Sequence, residues 1–260
     1  DSAPLVRLEA LRGLHARDDE RACPVTIAMT SDPDPRVALE AIGELRACDT
    51  WSAAVSLLDH LAGEVGDAYR QWHRAAHALV SLAAVDPGRA RERLTPFTSA
   101  STWHLRLYAA RAAAVLDDRP TLQRLAQDAN DNVVEAALFG LVTGAGHDAD
   151  AIYVAALGRP AHQVVRAAAL ALDGSTHPGA ASALEAARQR LAGDLSAGAL
   201  DAYAAIMDTL SGLGARPPAR PAGRADANPS LTTANLRRLS APRARVIVRD
   251  VGTFEVALGV

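Results

Sequence analysis

Apolar residues recur at helical spacing along most of the chain. Between Asp34 and Leu45, apolar residues stand three or four positions apart and polar residues fill the gaps, which is typical of a helix with one buried face. Asp34 can cap the free backbone N–H groups of this helix, and Pro35 suits its first position. The pattern therefore predicts an amphipathic helix that begins at an Asp-Pro pair.

Approximate copies of this helix follow at intervals of 27 to 37 residues. We align the copies on a small residue at the helix centre: Ala10, Ala41, Ala75, Ala109, Ala136, Ala167 and Ala204. A second, less regular helix is predicted before each later copy, at 19–30, 50–62, 87–97, 119–128, 148–158 and 179–192. One such hairpin cannot bury its apolar face alone, so the repetition predicts a solenoid of stacked hairpins.

The length of these hairpins and their Asp-Pro entry resemble HEAT repeats, and the resemblance covers residues 1–214. It implies an all-α fold, a right-handed superhelical α-solenoid of about seven HEAT-like hairpins. TPR repeats fit less well, because their period of about 34 residues varies little and their Trp-Leu-Gly-Tyr pattern is missing here. We expect the solenoid to form the domain 1–214.

The sequence changes character after the last repeat. Residues 215–242 are dominated by Pro, Ala and Arg without periodicity, which predicts a linker. Residues 243–260 are rich in β-branched residues, and Phe254, Val256 and Leu258 alternate so as to share one face. We therefore expect a short C-terminal β-hairpin, with strands near 246–250 and 253–258.

The stretch RARVIVRDVGTFEVALGV at 243–260 resembles the opening strand pair of a cyclophilin-type peptidyl-prolyl isomerase. The resemblance implies the truncated start of a cyclophilin-like domain. In that family the catalytic Arg and the proline pocket come later in the domain, so no catalytic residue is assigned here. The alternative is a strand pair that packs on the solenoid or on another chain, because edge strands pair readily.

Composition narrows the choice of partners. The chain is 49% hydrophobic and only 4% aromatic, and its net charge is −3, which does not favour a nucleic-acid partner. No apolar run is long enough to span a membrane. All 27 basic residues are Arg, a bias typical of a GC-rich bacterial genome. The sequence does not begin with Met, and its first residues already belong to the second helix of a repeat, so we expect a fragment. We therefore assign neither the cytoplasm nor the periplasm as the compartment.

The two cysteines, Cys23 and Cys48, do not form a disulfide framework of the kind found in small secreted domains. Cys23 falls in a first helix and Cys48 near the end of the next second helix, so they could be neighbours in the stack. We expect two reduced, mostly buried thiols.

The position before each helix-centre residue is expected to line the concave surface of the solenoid. These positions hold Glu9, Glu40, Arg74, Tyr108, Glu135, Arg166 and Tyr203. In one interpretation this polar and aromatic row binds an extended partner. In the other the row is a solvated surface whose neighbours pair with each other, for example Glu135 with Arg166.

His73 and His77 lie four apart on one helix and could share a metal ion. The zinc-protease pattern needs Glu after the first His, and Arg74 stands there instead. We therefore expect neither a metal nor another cofactor, and interpret the two histidines as part of a helix face.

Trp51, Trp72 and Trp103 are the only tryptophans, and all three fall in the first half of the chain. Exposed together they could form a contact patch for a partner protein. We interpret them instead as filling between helices, which is the commoner role of such residues.

The leading functional hypothesis is a scaffold that binds or positions a protein or peptide client and is the non-catalytic arm of a larger peptidyl-prolyl isomerase. One alternative is an enzyme within the solenoid, of DNA glycosylase or lyase type, although net charge argues against a DNA-binding groove. The other is a purely structural or dimerisation arm, in which the C-terminal strands pair with another chain.

Overall fold

The computed structural model describes residues 3–17, 21–65 and 72–215, together with the backbone of 243–248 and 252–257. The chain divides into two compact units, Asp1–Pro218 and Ala219–Val260. The predicted linker at 215–242 lies outside the described residues except for its first position, so its assignment stays a prediction.

The described part of the first unit contains thirteen α-helices. They are α1 (Pro4–Ala16), α2 (Ala22–Met29), α3 (Pro35–Glu44), α4 (Ser52–Gly63), α5 (Trp72–Val85), α6 (Pro87–Thr98), α7 (Trp103–Val115), α8 (Arg119–Leu125), α9 (Asp131–Gly144), α10 (Asp150–Ala156), α11 (His162–Ala171), α12 (Ala180–Leu191) and α13 (Ala197–Gly212). Short 3-10 helices follow α3 at Leu45–Ala47 and precede α10 at Gly146–Ala149. None of the described helices combines the length and apolarity that a membrane crossing requires.

The helices stack in the order that the repeat predicts. Each odd-numbered helix contacts the next odd-numbered helix, from α1 through to α13, and each even-numbered helix packs against the odd-numbered helix that follows it. Since each hairpin contacts mainly its neighbours, the core runs continuously along the stack. The prediction of an all-helical solenoid is confirmed for this unit, and the hand of its superhelix stays a prediction.

Small residues at the helix centres let the odd-numbered helices approach closely, but the register predicted from sequence needs correction. Ala41 and Ala109 are fully buried, as expected. Of the two adjacent alanines in α9, Ala137 is fully buried and Ala136 is only half-buried. Ala10 in α1 is exposed. Runs of adjacent alanines leave the sequence register uncertain by one residue, and only packing resolves it.

The helix starts follow the capping chemistry of the sequence. The Asp34 side chain accepts a hydrogen bond from the Arg36 backbone N–H at the start of α3, and Asp86 accepts one from the Arg89 N–H at the start of α6. Proline stands at the beginning of both helices. These contacts satisfy N–H groups that have no partner inside the helix, so the Asp-Pro entry does what the sequence predicts.

A recurring ion pair braces the loops that lead into the odd-numbered helices. Arg106 of α7 binds Asp128 through two N–H···O bonds of 2.6 and 2.8 Å, and Asp128 also accepts the Asn130 backbone N–H. Arg7 of α1 binds Asp32 in the same way, at 2.8 and 2.7 Å. Burial alone would raise the pKa of Asp128, but the bonds from Arg106 and Asn130 outweigh it and leave that pKa below its ordinary value.

Cys23 and Cys48 form a disulfide, with their Cα atoms 5.8 Å apart. The prediction of two reduced thiols is therefore wrong. Cys23 lies near the start of α2 and Cys48 directly follows the 3-10 helix after α3, so the antiparallel packing of α2 on α3 within one hairpin brings the two side chains to bonding distance. Sequence separation alone could not show this approach.

In the second unit, β1 (Arg243–Val248) and β2 (Gly252–Ala257) pair antiparallel, with Val246 opposite Phe254. Residues 249–251 and 258–260 lie outside the described residues. The assignment of this stretch to a cyclophilin-like domain stays a prediction.

Candidate binding groove on the odd-numbered helices

A recess of about 840 Å³ opens between three consecutive odd-numbered helices. We call it the central groove, lined by Val80 of α5, by Leu107, Arg111, Ala114 and Val115 of α7, and by Asn132, Glu135, Ala136, Phe139, Gly140 and Thr143 of α9.

Small residues bring α7 and α9 together beneath the groove. A Cβ added at Gly140 would lie 2.9 Å from the Ala114 Cβ and 2.8 Å from a methyl group of Leu122. No side chain larger than hydrogen fits at that position without a shift of its neighbours. Gly140 therefore sets the spacing of α7 and α9.

The walls of the groove expose large apolar side chains. Phe139 is 52% exposed and Val115 is 49% exposed. Val142, one turn along α9 from Phe139, is also exposed. A contiguous apolar patch of this kind on a folded protein is typical of a contact surface for another molecule.

Two opposite charges border this apolar surface. The Arg111 guanidinium lies over the Tyr108 ring, 4.8 Å from its centroid, in a cation–π arrangement. Burial raises the pKa of Glu135, and the attraction of Arg166 partly offsets that rise. No hydrogen-bond donor in the described part of the chain reaches the Glu135 carboxylate.

Two smaller recesses lie towards the N-terminal end of the same row of helices. One, of about 630 Å³, is lined by Asp32, Pro33, Pro35, Arg36, Ala38, Leu39, His73 and Arg74. The other, of about 400 Å³, is lined by Arg36, Leu39, Glu40, Gly43, Glu44, Arg46 and His77. The surface of α3, α5, α7 and α9 is thus indented at three places.

A cluster of rings joins the first turns of α5 and α7. Trp72 stacks on His73 with a centroid distance of 3.7 Å and on His104 at 4.7 Å. His104 in turn stacks on Trp103 at 3.6 Å. A Trp-His pair opens both helices, and this repetition lets the rings interleave across the hairpin boundary. Their faces are largely occupied by one another, so the cluster ties the two helices together.

Next to this cluster, the Tyr108 hydroxyl and Nε2 of His77 share a hydrogen bond of 2.8 Å. Burial lowers the pKa of His77, and the positive charges of Arg111 and His73 lower it further. The pKa of His73 is also lowered, first by burial and then by His104. His73 and His77 therefore favour the neutral form.

The seven residues of the predicted surface row differ in their burial and in the recess that they line. Glu135 lines the central groove, Arg74 the 630 Å³ recess and Glu40 the 400 Å³ recess. Glu9 and Arg166 are exposed. Of the remaining members, Tyr108 is half-buried, whereas Tyr203 is only 4% exposed and its hydroxyl accepts a hydrogen bond of 3.2 Å from Arg188.

Several residues of this row form hydrogen bonds with other residues of the chain. Glu9 and Glu40 both accept hydrogen bonds from Arg12, at 2.9 and 2.7 Å. Arg74 donates to the Thr30 carbonyl oxygen at 2.8 Å. No ion pair joins Glu135 to Arg166 in the described residues, although their charges interact. The role of the row in binding stays a prediction.

The groove residues that sequence reasoning missed lie one helical turn further along. Phe139 follows Glu135 by four residues, and Arg111 follows Tyr108 by three. Positions three or four apart share a helix face, so extending the predicted row by one turn would have found both.

The described residues contain no group of three or more His, Cys, Asp or Glu side chains arranged to hold a metal ion. Trp51 requires a correction, because it is 41% exposed and not part of the filling between helices. Trp72 and Trp103 are half-buried and pack against the core, in agreement with that interpretation.

The stacked hairpins and the shared surface of their odd-numbered helices define the class: the first unit is an α-solenoid of HEAT/armadillo-like helical repeats. The structure is similar to that of YibA from E. coli, with a TM-score of 0.53 and 18% sequence identity over 81% of this chain and 82% of that one. At this identity the likeness concerns the fold alone.

Two further solved structures are similar over a comparable length. The complex of CpcE and CpcF of phycocyanin lyase from Nostoc sp. PCC7120 matches with a TM-score of 0.46 and 20% identity, over 74% of this chain and 86% of that one. A designed armadillo repeat protein in complex with the peptide (KR)4 matches with a TM-score of 0.44 and 15% identity, over 72% and 98%. No protein-family model and no curated protein matches the sequence.

Proposed function

We propose that the helical unit is a protein-binding scaffold whose central groove holds an extended segment of a partner protein. The observation that carries this proposal is the half-exposed Phe139 beside Val115, within a recess of about 840 Å³. Covering these two side chains would remove apolar surface from water, which stabilises a complex.

The form of the surface favours a chain segment over a compact ligand. The central groove is an open recess, and two further recesses lie along the same row of helices. An extended segment can place side chains in successive recesses while its backbone crosses the helices. Aromatic anchors in such a surface commonly supply much of the binding energy.

Selection of peptides on the 260-residue chain tests this proposal. A displayed library of random peptides should yield sequences with an apolar anchor, and fluorescence anisotropy would measure their affinities. Phe139→Asp should weaken binding by about tenfold or more, because the charge would be covered by the peptide. Leu195→Asp is the matched control, since Leu195 is 54% exposed and lies outside the groove.

Selected peptides that bind both variants equally would place their site elsewhere. Failure to select any peptide on the folded chain would remove the proposal.

The finer prediction, that this scaffold is the non-catalytic arm of a larger peptidyl-prolyl isomerase, rests on the sequence of 243–260 alone. This prediction implies that a longer protein containing the chain has prolyl isomerase activity and that the 260-residue chain alone has none. The alternatives of a glycosylase or lyase type of enzyme and of a dimerisation arm gain no supporting observation in the described residues.

A further inference from the structure

The central groove places opposite charges on its two sides. Arg111 lines it from α7 and Glu135 lines it from α9, with apolar Leu107, Val115 and Phe139 also in the lining. A segment seated on the apolar walls would therefore cover a cation and an anion together.

Neither charge has a full partner within the described residues. Arg111 stacks over Tyr108, which uses the face of the guanidinium and leaves its N–H edge without an acidic partner. Burial already raises the pKa of Glu135, and no donor in the described residues bonds to its carboxylate. Each group therefore retains hydrogen-bonding capacity that a bound segment could use.

Covering either group without a partner would oppose binding, because an ion removed from water must regain its lost hydrogen bonds. A segment with only acidic residues would bring a carboxylate against Glu135. A segment with only basic residues would bring a cation against Arg111. The arrangement is complementary to a segment that carries both charges, on either side of an apolar side chain.

The need for an acidic residue opposite Arg111 is stricter than the need for a basic residue opposite Glu135. Arg166 of α11 attracts Glu135 from outside the groove and offsets part of the cost of burying that carboxylate. Arg111 has no acidic partner in the described residues that would offset the cost of covering it. An acid opposite Arg111 is thus the stricter requirement.

We infer that the partner of the central groove is an extended, charge-polarised peptide segment, in which one apolar anchor stands between an acidic and a basic residue. The acid binds Arg111, the anchor packs against Phe139, and the base binds Glu135. This inference rests on the proposed function, since it specifies the partner of the same groove.

Four synthetic peptides of about twelve residues, measured by fluorescence anisotropy on the 260-residue chain, test the inference. All share a central leucine, and their flanks carry one Asp and one Arg, two Asp, two Arg, or two Gln. The natural chain should bind the mixed peptide about tenfold or more tightly than any other.

Charge exchange supplies the matched controls. Arg111→Glu should shift the preference to the doubly basic peptide, and Glu135→Arg should shift it to the doubly acidic one. The double variant Arg111→Glu/Glu135→Arg should prefer the mixed peptide again, because both charges are present in exchanged places. Circular dichroism would show that the variants keep their helices.

The outcomes separate the two proposals. Equal binding of all four peptides, or variants that change all four affinities alike, would overturn the charge-polarised partner while the groove remains a peptide-binding site. If no peptide binds, including peptides selected from a random library, both the proposed function and this inference fail.

Discussion

At the scale of single residues, the surface of the odd-numbered helices combines apolar side chains that are exposed to water with charged side chains that are partly buried. Phe139 remains half-exposed although it is apolar, while Glu135 is partly buried although it is charged. In contrast to Glu135, the Asp128 carboxylate has a partner inside the chain, because it accepts two hydrogen bonds from Arg106. An exposed apolar ring and a partly buried carboxylate without a hydrogen-bond donor among the described residues lie together in the central groove, which is why the binding proposal rests there.

His77 gives a prediction about pH. Its pKa is lowered from 6.5 in the folded chain, first by burial, so the unfolded chain takes up the proton more readily. Its contribution to the free energy of unfolding is therefore fully present above pH 6.5 and is lost as pH falls from 6.5 through the lower pKa of the folded chain.

His77→Gln keeps a side chain able to bond the Tyr108 hydroxyl but removes the titration. We expect urea unfolding at about pH 7.5 and pH 5.5 to show a smaller loss of stability in this variant than in the natural chain. Equal losses in the two proteins would show that His77 does not contribute to the pH dependence.

At the scale of elements, apolar periodicity and Asp-Pro entries predict where helices form but do not predict how closely they approach. Gly140 and Gly43 both stand inside helices, in α9 and α3. A Cβ at Gly140 meets Ala114 and Leu122 at under 3.0 Å, whereas a Cβ at Gly43 meets nothing within 4 Å. The two glycines therefore have different roles.

Alanine substitution should separate these roles. Gly140→Ala is expected to destabilise the fold by about 1–2 kcal/mol, because overpacking outweighs the gain in helix propensity. Gly43→Ala should stabilise it by about 0.5–1 kcal/mol, since only the propensity changes. Thermal unfolding of both variants measures the difference, and a stabilising Gly140→Ala would contradict the close approach of α7 and α9.

The sequence predicted most helices and their pairing, since helix periodicity and capping act within a few residues of one another. It did not predict the helix register at Ala136 and Ala137, where neighbouring alanines are equivalent until they pack. Nor did it predict the Phe139 surface, because an exposed and a buried apolar residue look alike in a helix pattern. It allowed Cys23 and Cys48 to be neighbours in the stack, but it did not predict that they form a disulfide.

At the scale of the whole molecule, the first unit is a stack in which each hairpin is stabilised mainly by its neighbours. Such a stack is weakest at its ends, where a hairpin has only one neighbour. The disulfide closes the α2–α3 hairpin, so it strengthens the N-terminal end of the described stack.

Reduction should therefore destabilise this end of the stack. The disulfide closes a sequence separation of 25 residues, for which chain entropy gives a stabilisation of about 3–4 kcal/mol. Thermal unfolding with a phosphine reductant should show an early transition that the oxidised chain lacks. The double variant Cys23→Ser/Cys48→Ser should show it without reductant, and an unchanged melting curve in both cases would contradict the role of the bond.

The central claim is that the groove of α5, α7 and α9 holds a segment of another protein. Its most direct test is photo-crosslinking of a selected peptide to the 260-residue chain carrying Phe139→p-benzoylphenylalanine, with Leu195→p-benzoylphenylalanine as control. The account predicts a crosslinked product from position 139 and little from position 195. Equal crosslinking from both positions, or crosslinking from position 195 alone, would contradict it.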